Sequence, residues 1–300
     1  MTHTALTALL TGIALCTGLA VTDNVEARNW HKRNNVKIQN VIEATDLNNK
    51  TNPTVQPQDP ALSGDDRDQT LRSGDILRGT HKDDLIIGKL GPDILVGNYG
   101  NDVMIGGTED FSPFNQDRAF GGHGRDIFMW APGDGSDQFE GGKGADAVMF
   151  GLIGEIGDDQ NITFAVDLPG TPDTGDSDPI FLSPKTNLPL MNASGSPGFC
   201  EIIDGSNADG GQAALDALNV DHLVKFFIRA AADTFESGAQ NTDNGLRVTL
   251  HLKDVEVVVC TNREGGLIQA YDLTHVPAQP IDVDDIRSRT LRNRIKAIVF

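Results

Sequence analysis

The sequence predicts a mainly β protein in which short strands stack through a repeated unit and a smaller α+β region follows. A unit of nine residues recurs between Gly74 and Phe150, and 17 of the 33 glycines lie between Gly74 and Gly151. The second half of the chain combines an amphipathic helical pattern with alternating apolar stretches. These patterns predict stacked strands over residues 74–151 and a small α+β domain over residues 152–300.

The repeat is clearest in five nonapeptides. They read GTHKDDLII (79–87), GKLGPDILV (88–96), GNYGNDVMI (97–105), GGHGRDIFM (121–129) and GGKGADAVM (141–149). The sixth position is always aspartate, and the eighth is apolar, as Ile86, Leu95, Met104, Phe128 and Val148. Two longer units, GGTEDFSPFNQDRAF and WAPGDGSDQFE, and a degenerate unit at 70–78 complete the series. One unit buries too little apolar surface to fold alone, so the repeats are expected to stack.

The aspartates of the repeat are the candidate metal ligands. They are Asp75, Asp84, Asp93, Asp102, Asp117, Asp126, Asp137 and Asp146, with successive gaps of 9, 9, 9, 15, 9, 11 and 9. Glycine supplies the positive φ that tight turns need, and the predicted site includes Gly97, Gly100, Gly121, Gly124, Gly141 and Gly144. Turns stacked about 4.8 Å apart bring aspartates and carbonyls together. Ca²⁺ accepts about six to eight such oxygens, so calcium is the predicted ion.

The nonapeptide resembles the calcium-binding repeat of the repeats-in-toxin (RTX) family, G-G-x-G-x-D-x-U-x. GGHGRDIFM and GGKGADAVM match at every defined position, whereas GNYGNDVMI has Asn98 for the second glycine and GTHKDDLII lacks the second and fourth. The resemblance covers roughly residues 70–150. It implies a right-handed parallel β-roll of nonapeptide repeats that folds when calcium binds, with two nonapeptides in each full turn.

Two units per turn would place alternate loops on the same side of the roll. The regular side then collects loops of six residues, which end in Asp84, Asp102, Asp126 and Asp146. The irregular side collects Asp75, Asp93, Asp117 and Asp137 and contains two longer loops, GGTEDFSPFNQD and WAPGDGSD. We expect the well-formed calcium sites on the regular side. The insertion at 108–116 is a candidate contact for a protein partner, and a tolerated surface loop is the alternative.

Composition and the amino-terminal residues restrict the partners and the compartment. The chain has 43 acidic and 24 basic residues, a formal charge of −19, which disfavours nucleic acid and favours cations. Residues 5–21 form an uncharged apolar run that is too short and interrupted for a membrane span. With VEA at 25–27 they predict a signal peptide over residues 1–27, and an uncleaved helix is the alternative. The mature chain is then expected to be extracellular, or periplasmic or on the cell surface, without a stable membrane span.

The remaining segments are a polar stretch, a helical pattern, an alternating apolar stretch and two cysteines. Residues 28–73 are polar and contain few large apolar residues, which predicts a linker. Apolar residues at helical spacing predict a helix over residues 213–233. The stretch LRVTLHLKDVEVVVCTN (246–262) predicts a hairpin or one bulged strand. Cys200 and Cys260 are expected either to form one disulfide or to remain buried thiols.

Motifs for catalysis are missing from the sequence. The chain contains no HExxH zinc motif, no GxSxG nucleophile elbow and no phosphate-binding P-loop. No catalytic residue or organic cofactor site is therefore predicted. The leading hypothesis is a secreted calcium-binding protein with a structural or interaction role. The alternatives are an extracellular hydrolase with its active site in residues 152–300 and a cytosolic calcium buffer.

Overall fold

The structure is a computed structural model. It describes residues 36–44, 74–89, 91–107, 116–157, 160–164, 179–207, 211–228 and 248–300. The predicted signal peptide, most of the predicted linker and residues 108–115 of the predicted protein contact lie outside these ranges. The described part is mainly β. No helix within it is long and apolar enough to cross a membrane.

Nineteen strands and two α-helices form the described part. The strands are β1 (Asn40–Glu43), β2 (Ile76–Arg78), β3 (Asp84–Ile87), β4 (Ile94–Tyr99), β5 (Val103–Ile105), β6 (Arg118–Gly124), β7 (Ile127–Trp130), β8 (Gln138–Gly144), β9 (Ala147–Phe150), β10 (Leu152–Ile153), β11 (Glu155–Ile156), β12 (Ile162–Thr163), β13 (Met191–Asn192), β14 (Gly198–Ile203), β15 (His222–Ile228), β16 (Val248–Lys253), β17 (Val257–Thr261), β18 (Ile268–Asp272) and β19 (Gln279–Ile281). The helices are α1 (Gly211–Leu218) and α2 (Arg289–Ile298), and a short 3-10 helix covers Val283–Asp285.

Two large sheets contain most of these strands. Sheet I has eight strands in the order β1-β3-β5-β7-β9-β17-β18-β19, and sheet II has seven in the order β14-β15-β16-β8-β6-β4-β2. From β2 to β9 successive strands alternate between the sheets, and neighbours within each sheet are parallel. The register pairs equivalent positions two units apart, as in Ile86 with Met104 and Met104 with Phe128. Each repeat therefore contributes one strand to one of the two sheets.

The eighth position of the repeat lies in the core between the sheets. Strands of both sheets contribute to one buried apolar cluster, which includes Ile86, Leu95, Met104, Phe128 and Val148, all without exposed surface. The prediction that this position is buried is therefore confirmed. Stacking lets each unit share a continuous core, although it contributes few large side chains of its own.

A second apolar cluster covers the other face of sheet I. Leu85, Val103 and Ile127, which flank the eighth positions in their strands, pack in the same cluster as Leu291 and Ile295 of α2. The helix begins after Ser288, whose side chain accepts a hydrogen bond from the backbone N–H of Leu291 and so caps it. Sheet I is therefore buried on both faces, which explains its continuous apolar strands.

Strands from the second half of the chain extend the same two sheets. β16 pairs in parallel with β8, and β17 pairs in parallel with β9. A disulfide between Cys200 of β14 and Cys260 of β17 joins sheet II to sheet I. A separate α+β domain over residues 152–300 is therefore not shown. The stretch at 246–262 is neither a hairpin nor one bulged strand, because β16 and β17 lie in different sheets.

The helix predicted over residues 213–233 is wrong from Asn219 to Ile228, and residues 229–233 lie outside the described ranges. Asn219 adopts a positive φ of 55°, which ends α1, and β15 begins at His222. The apolar residues of this segment also fit a period of two, since Val224 and Phe226 both enter the core between the sheets. Hydrogen bonding to β14 on one side and β16 on the other selects the strand.

Part of the predicted linker is also ordered structure. β1 pairs in parallel with β3 at one edge of sheet I. Val36 and Ile38, which precede β1, are fully buried and join the apolar cluster that includes α2. The polar composition of residues 28–73 concealed this strand, because only alternate residues in it meet the core.

Candidate metal centre

The eight predicted aspartates form two hydrogen-bonded ladders. In the regular ladder, the backbone N–H group of one aspartate donates to the Oδ1 atom of the next. The pairs are Asp84 to Asp102 at 2.8 Å, Asp102 to Asp126 at 2.7 Å and Asp126 to Asp146 at 2.7 Å. The irregular ladder has the same hydrogen bonds. The pairs are Asp75 to Asp93 at 2.6 Å, Asp93 to Asp117 at 2.6 Å and Asp117 to Asp137 at 2.9 Å. The predicted sorting into two alternating series is confirmed.

Positive φ angles shape the loops that carry these aspartates. Asn98 and Gly100 have φ values of 73° and 124°, and Gly122 and Gly124 have values of 101° and 154°. Gly142 and Gly144 repeat the pattern at 94° and 154°. Asparagine tolerates this region better than most residues, which explains why Asn98 can replace the second glycine.

The first glycine of each regular loop leaves room for two oxygen atoms. A Cβ built on Gly97 would lie 2.4 Å from Asp102 Oδ2 and 2.6 Å from the carbonyl oxygen of Gly121. A Cβ on Gly121 would lie 2.5 Å from Asp126 Oδ2 and 2.7 Å from the carbonyl oxygen of Gly141. A side chain at either position would therefore clash with a carboxylate and with the backbone of the next loop.

The second carboxylate oxygen is unpartnered at several rungs. Within the described ranges, the Oδ2 atoms of Asp93, Asp102, Asp126 and Asp146 are buried and have no hydrogen-bond partner. A buried carboxylate oxygen without a partner is costly. A bound cation would remove that cost, so these atoms fit the ligands of a metal ion.

Three carboxylates meet on the irregular side. Asp117, Asp134 and Asp137 each place one oxygen within 4.8 Å of the others, and all three side chains are buried. The sequence predicted the well-formed sites on the regular side, whereas this group lies on the irregular side. The reason is Asp134, which the longer loop WAPGDGSD adds next to the ladder. Asp134 was not among the predicted ligands, because this residue does not occupy the sixth position of a repeat. The feature that pointed to it was the presence of two aspartates in the loop WAPGDGSD.

Burial raises the pKa values of the ladder aspartates. Burial, with the charge of Asp126, raises the pKa of Asp102 to about 8. Burial also raises the pKa of Asp126 to about 7 and that of Asp146 to about 8. Burial and the charge of Asp117 raise the pKa of Asp93 well above its usual range. Without a cation these groups tend to keep their protons near neutral pH, so metal binding would compete with protons.

Arg294 of α2 brings a positive charge to the regular side. Its side chain has no exposed surface, and its Nη1 atom lies 3.4 Å from Asp83 Oδ2, which is 211 residues away in the sequence. Burial lowers the pKa of Arg294, while the charges of Asp83, Asp102 and Asp126 oppose that shift. Arg294 was not predicted, although an arginine beside the apolar residues Leu291, Ile295 and Ile298 was a visible signal. The regular side therefore receives part of its countercharge from the protein itself.

The geometry of these loops defines what the site can bind. Its converging donors are carboxylate and carbonyl oxygens, which suit hard divalent cations. No protein-family model, curated protein or solved structure matches the chain. The class is therefore defined by the fold and the site. The chain is a mainly β protein with parallel sheets and a buried group of aspartates that could hold a metal ion.

Proposed function

We propose that this protein is a secreted calcium-binding protein whose RTX-like repeats form a right-handed parallel β-roll. The observation that carries the proposal is the buried group of Asp117, Asp134 and Asp137, with oxygens within 4.8 Å of one another. The alternation of successive strands between two parallel sheets supports the roll. The nonapeptide spacing of the aspartates supports the resemblance to RTX repeats.

Calcium fits this group better than other common ions. Three converging carboxylates favour a divalent over a monovalent cation, because the attraction grows with the charge of the ion. Zinc and copper sites usually include nitrogen or sulfur ligands. Magnesium requires near-ideal octahedral geometry and retains several water molecules, whereas calcium accepts irregular sets of carboxylates and carbonyls.

The residues of the loops have separate tasks in the proposed binding. Asp117, Asp134 and Asp137 would hold the ion on the irregular side, and the unpartnered Oδ2 atoms of Asp102 and Asp126 are the candidate ligands on the regular side. Calcium supplies the positive charge that lets these carboxylates remain ionised and close together. Folding of the loops is therefore expected to depend on calcium.

The proposed compartment agrees with the cysteine chemistry. Disulfides persist in oxidising environments outside the cytoplasm. The bridge between Cys200 and Cys260 therefore supports secretion. In such a compartment a roll ordered by calcium would serve as a structural or interaction module.

Calcium titration of the full chain tests the function. The chain, freed of metal with a chelator, is titrated with Ca²⁺ and separately with Mg²⁺ by isothermal titration calorimetry, and circular dichroism follows β structure. We expect calcium to bind and to increase β structure, with little response to magnesium. Asp134→Asn should weaken calcium binding by more than about tenfold, because removing even an outer-shell partner of a metal ligand costs about that much. The matched control is Asp285→Asn, at an exposed position.

Two results would contradict this assignment. One is a wild-type chain that does not bind calcium, or that binds magnesium and gains β structure with it to the same extent. The other is equal affinity in Asp134→Asn and Asp285→Asn. The full chain is required because a fragment ending near residue 150 would expose the edges of β8 and β9, which pair with β16 and β17 in the structure.

A further inference from the structure

β16, β17 and the turn between them follow the same course as one nonapeptide repeat, although their sequence does not match the repeat. In the last nonapeptide, residues 141–146, of which the first four end β8, carry the chain from Glu140 in sheet II to Ala147 in sheet I. The turn 254–256 makes the same passage from β16 to β17, one position further along both sheets. Its sequence is Asp-Val-Glu, three residues instead of six. The turn therefore stacks on the loop 141–146 as one loop of the regular side stacks on the next.

Glu256 continues the regular ladder. It immediately precedes β17, as Asp146 immediately precedes β9. Glu256 Oε2 accepts a hydrogen bond from the backbone N–H of Asp146 at 2.6 Å, just as Asp146 Oδ1 accepts one from the N–H of Asp126 at 2.7 Å. Because the turn is shorter, the additional methylene of glutamate helps its carboxylate reach the position of a loop aspartate.

The carbonyl oxygen of Asp254 completes the same local arrangement. A Cβ built on Gly141 would lie 2.3 Å from the Asp254 carbonyl oxygen and 2.8 Å from Asp146 Oδ2. The corresponding contacts of Gly121 are with the Gly141 carbonyl oxygen and Asp126 Oδ2, at 2.7 and 2.5 Å. The carbonyl oxygen of Asp254 thus takes the place of the carbonyl oxygen of the first glycine in a following loop.

The end of the ladder has a buried oxygen that needs a partner. Asp146 is fully buried, and within the described ranges its Oδ2 atom has no hydrogen-bond partner. Asp254 and Asp272 add negative charge close to Glu256. The positive charge of the exposed Arg125 offsets part of the negative charge around Asp146. These neighbours leave a negatively charged, oxygen-lined end to the ladder.

We propose that Asp146, Glu256 and the carbonyl oxygen of Asp254 form a calcium site at the carboxyl-terminal end of the regular ladder. The proposal rests on the calcium binding proposed above and assigns a site that the nonapeptide pattern does not encode. An ion held there connects the last repeat to the second half of the chain. It would couple the order of the repeats to the pairing of β16 and β17.

Calorimetric site counting on the full chain tests this site. Wild type, Glu256→Gln and the control Glu264→Gln are compared; Glu264 is an exposed glutamate just after β17. Glutamine can still accept the Asp146 hydrogen bond through its amide oxygen but removes the charge. We expect Glu256→Gln to bind one calcium ion fewer than wild type, and Glu264→Gln to bind the same number. Glu256→Gln with an unchanged number and affinity of calcium ions would overturn the proposal.

A measurement on the wild type covers the case in which Glu256→Gln does not fold. Hydrogen–deuterium exchange with mass spectrometry should show calcium-dependent protection of the peptide containing residues 254–256. Protection confined to the loops before residue 146 would overturn the terminal site while leaving calcium binding intact. A wild-type chain that binds no calcium would instead overturn the proposed function itself.

Discussion

At the scale of single residues, Asp102, Asp126 and Asp146 of the regular ladder each divide their two oxygens between two tasks. The Oδ1 atom of Asp126 accepts the backbone N–H of Asp102, which fixes the spacing of adjacent rungs. Its Oδ2 atom stays buried without a partner in the described chain and faces the carbonyl oxygen of the next loop. Glycine makes this arrangement possible, because any side chain at the first loop position would fill the same space.

Gly124→Ala should reduce the free energy of unfolding by on the order of 3 kcal/mol, through overpacking and an unfavourable backbone conformation. A Cβ at this position would lie 1.5 Å from the carbonyl oxygen of Gly100, at a φ of 154°. Urea denaturation followed by circular dichroism measures the effect. Gly266→Ala is the matched control, since Gly266 also has a positive φ, 78°, but no atom within 4 Å of its Cβ position. Equal losses at both positions would show that close packing of the loops is not the cause.

At the scale of secondary-structure elements, α2 both packs on the apolar face of sheet I and places a positive charge near the regular ladder. Leu291 and Ile295 pack on the sheet, and this packing places Arg294 beside Asp83. The guanidinium is fully buried, so its ion pair is shielded from solvent. Removing one partner of such a pair leaves an uncompensated charge.

Arg294→Met should therefore lower the free energy of unfolding by about 3 kcal/mol, the typical cost of breaking a buried ion pair. The exposed Arg289 of the same helix provides the control, and Arg289→Gln should change stability by less than about 0.5 kcal/mol. Urea denaturation at constant calcium concentration compares them. Adding Asp83→Asn to Arg294→Met should recover part of the loss. Similar stability in the two single variants would mean that the buried pair does not anchor α2.

At the scale of the whole molecule, the two halves of the chain share two continuous sheets. β16 and β17 cover the edges that β8 and β9 would otherwise expose. The Cys200–Cys260 bridge then fastens one sheet to the other across the shared core. Order in the repeats and order in the second half should therefore be lost together when the chain unfolds.

The metal-free chain should lose stability as the pH rises from about 4 to about 8. The pKa values of Asp102 and Asp146 are about 8 in the fold, against about 3.9 for an unfolded aspartate. The folded state binds more protons in this interval, so stability is greatest below the unfolded pKa and falls as the pH passes the folded pKa. Urea midpoints in chelator at pH 5, 6, 7 and 8 measure the trend. Saturating calcium should flatten it, and a flat profile in chelator would contradict these pKa shifts.

Local periodicity made much of the repeat region predictable. Stacking of identical units forces equivalent residues into contact, so the spacing of nine was enough to sort the aspartates into two ladders and to bury Met104 and Phe128. The same reasoning failed for β15, because His222–Ile228 fits both a helical and a strand pattern over a short length. Local sequence could not decide between them without the neighbouring strands.

The sequence alone determined the repeat, its apolar core position and the pairing of alternate aspartates, because these depend on contacts between near-identical neighbours. The tertiary structure decided which groups join the ladders from outside the pattern. Asp134 enters from a lengthened loop, Arg294 from a helix and Glu256 from a turn in the second half. Those positions arise because segments distant in the sequence pair with the edges of the sheets or pack on their faces. A period of nine residues carries no information about such long-range contacts.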